Sequence, residues 1–367
     1  MNAARTALIT GYPALRARAV LEAVRRAEPE LDVVLLVPTE RRAEAEQRLG
    51  ELAPEARRGV ELVEGDPALI DFGLGGRAYL ELAARVDVVH AAYTVTEPAP
   101  NDDLVQRVNV GAARELIELA RAASPPCGIV FYSSVLVSGN RSGVVREDEL
   151  EAGQSFRNAS ERTLAVAERM LRRSGLPVAV LRAGHLLGHS RTGEVEHLSG
   201  PYPLLVLLAT APEQLALPLP AAGEVPLPVT PVDHLAATGA YVAQARHFAG
   251  TFHVLDGERP TLKQFLVLAA ERSGKRLELG FSPGTLTRAL LGNPVARLLP
   301  QSARGLLEVL ASAEYATEGA DALIASGAPL CPPLPSYLEV LLAHVRERIE
   351  HGSIAPGTRA AAPFLVS

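Results

Sequence analysis

The chain has 367 residues and a formal net charge of -6 at pH 7, and hydrophobic residues make up 48% of it. An acidic balance does not suit the phosphate backbone of a nucleic acid, which proteins bind with clustered Lys and Arg. No apolar stretch reaches the roughly 18 to 20 residues of a membrane-spanning helix. The two cysteines, Cys127 and Cys331, have neither metal-ligand nor disulfide-framework spacing. We therefore expect a small-molecule ligand and no metal, nucleic acid or membrane span.

Short apolar runs alternate with helical stretches through the first half of the chain. Strands are predicted at residues 6–10, 33–37, 60–63, 86–91, 128–133 and 178–182, and helices at residues 15–27, 40–52, 109–122 and about 158–174. Short apolar runs separated by longer helices are typical of a parallel sheet that is covered on both faces. The pattern predicts an α/β fold, with a doubly wound parallel sheet of the Rossmann type.

The pattern changes after residue 184. Residues 190–230 are rich in Pro and Gly around one short apolar helix, residues 231–245 and 251–255 predict a helix and a strand, and residues 261–349 are mostly helical. We predict a dinucleotide-binding domain of residues 1–190 plus 225–257, and a smaller, mainly helical C-terminal substrate lobe of residues 190–224 plus 258–350, followed by a flexible tail at 351–367. Residues 204–208 and 306–310 are candidate walls of an apolar cleft. The first residues run straight into a strand without a secretory signal, so a cytoplasmic location is expected.

The turn after the first predicted strand has the position of a dinucleotide-binding loop, which here would read T-G-x-x-G-x-x-G. Gly11 is kept, whereas Ala14 and Ala17 stand where the other two glycines would be. Pro13 removes a backbone N–H at the helix entrance, where phosphate oxygens accept hydrogen bonds. The candidate cofactor contacts of this turn are Thr10, Gly11, Tyr12 and Ala14.

Further candidates follow the next strands in order. Asp66 follows the third strand, where a carboxylate can accept from an adenine amino group, and Ala91 and Ala92 end the fourth strand with small side chains. Asn109 opens the following helix. Each has a purely structural explanation as a turn residue, packing residues or a helix cap. Their succession in the expected order favours a nucleotide site.

Several motifs together resemble the extended short-chain dehydrogenase/reductase superfamily, and in particular its branch of thioester reductases and fatty acyl-CoA reductases. The resemblance spans about residues 5–345. It implies a reductase that uses NADPH or NADH to convert an acyl thioester or aldehyde. The motifs are Gly65-Asp66, His90-Ala91-Ala92, Asn109-Val110-Gly111, residues 133–139 (SSVLVSG), residues 188–194 (GHSRTGE), Pro231-Val232-Asp233 and the segment 325–338.

The catalytic residues of that family are only partly present. The family uses a Ser or Thr at the end of the fifth strand and a Tyr-x-x-x-Lys pair on the next helix, where the tyrosine protonates the substrate oxygen. Ser134 matches the first residue, but Ser160 stands in place of the tyrosine and Leu164 in place of the lysine. Residues 140–182 contain neither Tyr nor Lys, so no change of register restores the pair. Ordinary hydride-transfer catalysis is therefore expected to be severely impaired.

Two other side chains are candidates for an unorthodox acid. His185 follows Arg182-Ala183-Gly184, where the family has Arg-Pro and then residues that line the nicotinamide, and Tyr132 is predicted on the same strand face as Ser134. Ser134, His185 and Asp233 could form a hydrolase triad, but no G-x-S-x-G turn frames the serine.

The resemblance also bears on cofactor choice. Arg182 is placed in the cofactor site by the resemblance. Pro38 stands where the family usually has an arginine for the NADPH phosphate, although Arg41 and Arg42 could serve instead, or could simply form a solvated helix face. Two hypotheses remain open: a divergent reductase with Ser134 as carbonyl anchor, and a non-catalytic module that binds a nucleotide, an acyl ligand or a partner.

Overall fold

The computed structural model describes residues 5–96, 101–210, 212–220, 226–245, 247–282 and 313–352. Strands and helices alternate along its first part, as expected. The strands are β1 (Thr6–Thr10), β2 (Asp32–Val37), β3 (Val60–Glu64), β4 (Val88–Ala91), β5 (Gly128–Ser134), β6 (Val144–Val145), β7 (Val178–Ala183), β8 (His185–Leu187), β9 (Gln214–Pro220), β10 (Val229–Pro231), β11 (Ala249–Val254), β12 (Arg276–Ser282) and β13 (Glu314–Tyr315).

The helices complete the element order. They are α1 (Leu15–Ala27), α2 (Arg42–Gly50), α3 (Pro54–Arg57), α4 (Gly76–Arg85), α5 (Asp102–Gln106), α6 (Ala112–Ala122), α7 (Ala159–Arg172), α8 (Tyr202–Thr210), α9 (Val232–Gln244), α10 (Leu262–Arg272), α11 (Glu318–Ala325) and α12 (Leu338–Glu350). Short 3-10 turns lie at Thr39–Arg41, Ile70–Gly73, Val135–Ser138 and Leu334–Ser336.

Seven parallel strands form the central sheet, in the order β11–β7–β5–β4–β1–β2–β3. Every residue of β1, β4, β5 and β7 is buried, because the apolar runs face helices on both sides. Helices α1 and α9 cover one face, and α4, α6 and α7 cover the other. This confirms the predicted Rossmann-type α/β fold. The carboxyl ends of β1, β4, β5 and β7 therefore meet at one edge, where ligands of such sheets bind.

A separate apolar core joins α8, α10 and α12 with residues that follow β8 and precede β10. Leu204, Leu205 and Leu208 are buried inside it, so they are packing residues and do not line an open cleft as predicted. The second candidate wall, residues 306–310, lies outside the described residues, as do residues 283–305 and most of the predicted tail.

Three elements differ from the predictions. The part predicted as mostly helical also contains β12, which pairs with β9 in parallel, and β13, which pairs with β6. Asn109 does not open a helix. It lies within one π-helical turn, Arg107–Gly111, that joins α5 to α6. The inserted turn shifts the helical phase, which an apolar period of 3.6 residues does not reveal.

Two further features bear on function. Within the described ranges, no helix is both long and apolar enough to cross a bilayer. The same part of the chain holds no cluster of three or more His, Cys, Asp or Glu side chains that could bind a metal ion.

Candidate cofactor and catalytic site

The turn between β1 and α1 approaches the end of β4 closely. Gly11 has a φ of 90°, which favours glycine, and a Cβ there would lie 3.2 Å from the backbone of Ala92. The Thr10 hydroxyl accepts a hydrogen bond from the Tyr93 N–H at 3.1 Å. Thr10 and Gly11 thus fix the spacing between two strand ends, and the small Ala91 and Ala92 are buried there. The other loop residues are also buried: Ala14 precedes α1, and the Tyr12 hydroxyl has no hydrogen-bond partner among the described residues.

Asp66 lies in the turn after β3. Its Oδ1 accepts from the Ala68 N–H at 2.8 Å. Burial raises the pKa of Tyr93, and the charge of Asp66 and a hydrogen bond to its carboxylate raise that pKa further. A protein side chain thus already contacts the Asp66 carboxylate, and its contact with an adenine amino group stays a prediction.

The two candidate phosphate-binding arginines point in different directions. Arg41 pairs with Glu44 at 2.7 Å, and its side chain is mostly covered. Its charge lowers the pKa of Tyr93 and opposes the burial that raises the pKa of Glu196. Tyr93 and Glu196 contact the turn between β1 and α1, at the edge of the sheet that we call the groove. Arg42 instead pairs with Glu46 and Glu64 on the solvent side. Of the two, only Arg41 is placed near the groove.

Asn109 and Arg182 have structural partners. The Asn109 side chain accepts from the Val95 N–H at 2.8 Å, and it donates to the Val95 carbonyl and to Thr163. The Arg182 guanidinium donates to Glu168 and to the Glu149 carbonyl, and it contacts His253. Its donors are thus directed at α7 and its surroundings, and a contact of Arg182 with the cofactor stays a prediction. The match of Arg182 to the Arg-Pro motif of the family concerns residue type and does not predict the direction of its side chain.

Helix α7 carries the two substituted catalytic positions. It begins after Asn158, whose side chain caps it by accepting from the Glu161 N–H at 2.9 Å. Ser160 and Leu164 are four residues apart and share a helix face, and they are 1% and 0% exposed. Leu164 belongs to the apolar core on this side of the sheet. Neither a phenol nor an ammonium group is present at these two positions.

Ser134 ends β5 and begins the turn Val135–Ser138. Its hydroxyl oxygen accepts from the Leu136 N–H at 3.2 Å, which leaves the hydroxyl proton free to donate to another acceptor. Ser134, His185 and Arg16 line a cavity of about 10 Å³. That volume holds about one water molecule.

His185, on β8, is buried beneath a loop. Gly200 has a φ of 57°, and a Cβ there would lie 3.0 Å from His185 Nδ1. Burial, together with the charge of Arg157, lowers the pKa of His185 to about 4. The imidazole is therefore neutral near pH 7.

Tyr132 lies deeper in the structure than Ser134. Its hydroxyl is 3.0 Å from His90 Nδ1, and a Cβ on Gly239 of α9 would collide with it. The ring thus packs between the sheet and α9, and burial raises the pKa of the phenol. Sharing a strand face with Ser134 does not bring it to the strand end.

Two charged residues that sequence reasoning missed lie at the N terminus of α1. The Glu196 carboxylate accepts from the Leu15 N–H at 3.4 Å, and the Arg16 guanidinium, 9% exposed, donates to Thr94 and Thr96. Their only sequence signal was a charge in the first turn of α1 and another just after the GHSRTGE motif.

The sheet order and the glycine turn define a Rossmann-type dinucleotide-binding protein. The model of the NAD-binding family described as male sterility protein matches residues 9–238, and the chain belongs to this family. It lies within the extended short-chain dehydrogenase/reductase superfamily, on the thioester reductase branch, which confirms the resemblance.

Solved structures with the same fold include reductase domains of peptide and polyketide synthases. The terminal R domain from the myxalamid PKS-NRPS pathway has a TM-score of 0.76 at 20% identity, covering 98% of this chain and 94% of that one. The reductase domain of a nonribosomal peptide synthetase from Mycobacterium tuberculosis has a TM-score of 0.66 at 19% identity, covering 95% and 92%. At these identities the similarity shows the fold.

Two curated relatives are much longer proteins. Glycine betaine reductase ATRR of Emericella nidulans is 35% identical over 141 residues, which is 36% of this chain and 11% of that protein. A linear gramicidin synthase of Brevibacillus parabrevis is 26% identical over 236 residues, 61% of this chain and 4% of that protein. The chain therefore matches only a small part of either relative.

The residues of the groove fit a nicotinamide dinucleotide only in part. Gly11 allows the tight turn after β1, and Ala91 and Ala92 keep the end of β4 small, as a dinucleotide site requires. The N terminus of α1 does not fit, because Glu196 occupies the amide that a phosphate oxygen would use. Beside it, Arg16 and Glu196 line a cavity of only about 40 Å³. The two cavities that Arg16 lines have no room for a dinucleotide.

Proposed function

We propose that this chain is a member of the thioester reductase branch that has lost ordinary hydride-transfer catalysis and acts as a binding module for a small acyl-type ligand. The observation that carries the proposal is the pair Ser160 and Leu164, which are buried on one face of α7 where the family has its tyrosine and lysine. A serine hydroxyl is a far weaker acid than a phenol, and leucine has no polar group. General acid–base catalysis contributes about 10²- to 10⁴-fold, which is the loss expected here.

The other phenols near the site do not support an unorthodox acid. The Tyr132 hydroxyl is committed to His90 inside the core. Tyr315, which sequence reasoning missed, reaches the turn after β5, but its hydroxyl bonds to Ser138 at 2.9 Å. Burial raises the pKa of both phenols. The hydrogen bonds of Tyr132 and Tyr315 therefore indicate a structural role for both phenols.

His185 is a poor proton donor for a related reason. With a pKa of about 4, the ring is protonated in about one molecule in a thousand near neutral pH. It could still accept a hydrogen bond from a ligand hydroxyl or amide. We therefore assign His185 and Ser134 to ligand positioning, with the Ser134 hydroxyl as the donor to a carbonyl oxygen.

In the proposed module, the two predicted parts of the chain have different roles. Residues 1–190 plus 225–257 carry the nucleotide-binding fold, and residues 190–224 plus 258–350 carry the ligand lobe. The separate apolar core of α8, α10 and α12 supports this division. The proposed ligand is an acyl thioester or an aldehyde, and the proposed cofactor is NADP or NAD. The proposed location is the cytoplasm.

The test is to restore the missing pair. Ser160→Tyr with Leu164→Lys is compared with Ser160→Phe with Leu164→Met, which adds similar bulk without the phenol and the ammonium group. We expect NADPH oxidation with a long-chain acyl-CoA to rise at least tenfold above the wild type in the first variant only. Equal activity in the two variants, together with wild-type turnover that Ser160→Ala abolishes, would contradict the proposal.

A further inference from the structure

The first turn of α1 reads Leu15-Arg16-Ala17-Arg18 and has no acidic side chain of its own, and Ala14 before it has no side-chain oxygen to cap the helix. Free amides at a helix N terminus attract an anion. Here Glu196 supplies the anion, from a segment 181 residues further along the chain, through the 3.4 Å hydrogen bond from the Leu15 N–H. The protein's own carboxylate thus stands where a phosphate oxygen would bind.

A second contact holds this segment in place. The Arg18 guanidinium donates to both oxygens of Glu194, at 2.5 and 3.1 Å. Glu194 and Glu196 therefore both hydrogen-bond to the first turn of α1. We call residues 194–197 the plug segment.

Arg16, also in the first turn of α1, is held by residues that follow β4. Its guanidinium bonds to Thr94 and to the Thr96 hydroxyl, which lies 3.1 Å away, just beyond β4. Burial raises the pKa of Glu196, and the positive charge of Arg16 is the largest opposing influence. The two opposite charges line the same cavity. The two cavities that Arg16 lines, about 10 and about 40 Å³, are far below the roughly 300 Å³ of a small-molecule site. A separate cavity of about 320 Å³ runs along α1, and its lining includes neither Arg16 nor Glu196.

We propose that the plug segment is an autoinhibitory device that competes with the pyrophosphate of the dinucleotide. Glu196 leaves the N terminus of α1 when the cofactor binds, and Arg16 then becomes a ligand of the pyrophosphate. A guanidinium suits this exchange, because it binds carboxylate and phosphate oxygens with the same planar set of donors. The affinity for the cofactor is lowered by the free energy needed to displace Glu196. The inference concerns binding alone and does not depend on whether the chain catalyses reduction.

The test measures binding of NADPH, and separately of inorganic pyrophosphate, by isothermal titration calorimetry. Glu196→Ala is compared with the wild type and with Glu22→Ala, which removes a carboxylate from the outer side of α1. We expect Glu196→Ala to bind both probes at least tenfold more tightly than the wild type and Glu22→Ala to match the wild type. Arg16→Ala in the Glu196→Ala background should reverse the gain.

Glu196→Gln is the second variant, since it keeps the shape of the side chain and removes its charge. It should bind more tightly than the wild type and less tightly than Glu196→Ala. Equal or weaker binding by both Glu196 variants, including no binding by either of them, would overturn the inference. Turnover is not part of the readout, so a failure here is distinguishable from a failure of the proposed loss of catalysis.

Discussion

Arg182 at the end of β7 and Glu168 on α7 form an ion pair of 2.5 Å in which the side chains are 1% and 0% exposed. The pair fixes the helix that carries Ser160 to the strand that leads to His185. Removing one partner leaves the other charge buried, which typically costs about 3 to 5 kcal/mol. We expect Arg182→Met to lower the free energy of unfolding by that amount in urea denaturation.

The control for this prediction is an exposed pair that links the same helix to the segment before it. Arg169 and Glu151 lie 3.2 Å apart at the surface, so Arg169→Met should cost less than about 1 kcal/mol. Adding Glu168→Leu to Arg182→Met should recover part of the lost stability. A cost below about 1 kcal/mol for Arg182→Met would mean that the pair does not hold α7 in place.

Gly11 and Gly50 make a matched pair for testing the cofactor turn. Gly11 has a φ of 90° and a Cβ there would be 3.2 Å from backbone atoms, whereas a Cβ at Gly50 would meet nothing within 4 Å. Gly11→Ala should therefore destabilise the fold and weaken NADPH binding. Gly50→Ala, at the last residue of α2, should leave binding unchanged and stabilise by up to about 1 kcal/mol. Equal effects of the two substitutions on thermal unfolding and on calorimetric binding would refute this account of the turn.

Buried histidines predict a loss of stability in acid. Burial lowers the pKa of His90 from 6.5 to about 3. The unfolded chain therefore binds a proton that the folded chain does not, and stability that is complete above pH 6.5 is lost as the pH falls toward 3.

His90→Gln tests this dependence. The amide stays neutral and can hydrogen-bond to the Tyr132 hydroxyl, so we expect the free energy of unfolding to fall less between pH 7 and pH 5 than in the wild type. His351→Gln, at an exposed histidine, is the control. An unchanged slope in His90→Gln would show that His90 is not buried as a neutral ring.

Much of the fold follows from local patterns in the sequence. The apolar runs predict β1, β2, β4, β5 and β7 to within a few residues, because each run is buried on both faces and bounded by turns or helices. Gly11 and Asp66 follow β1 and β3, as their positions in the sequence predict, whereas their contacts with a cofactor stay predictions. The pairing of β9 with β12 was not predictable, because about sixty residues separate two short runs beside prolines.

The site depends on long-range contacts that no local pattern contains. Glu196 meets Leu15 across 181 residues, and Tyr315 meets Ser138 across 177. Arg182 matched a family motif, yet its direction is decided by Glu168 on a helix that packs beside it. The sequence shows which residue types stand at these positions. It does not show which residues they contact, because those contacts depend on tertiary packing.

The most direct measurement is the rate of NADPH oxidation by the unmodified protein with a saturating long-chain acyl-CoA, followed by cofactor fluorescence. The same assay on Glu196→Ala ensures that access to the groove does not limit the rate. We predict that neither protein exceeds its own Ser160→Ala variant. Rapid oxidation by the unmodified protein, lost when Ser160 alone is changed, would contradict the claim that α7 no longer supports reduction.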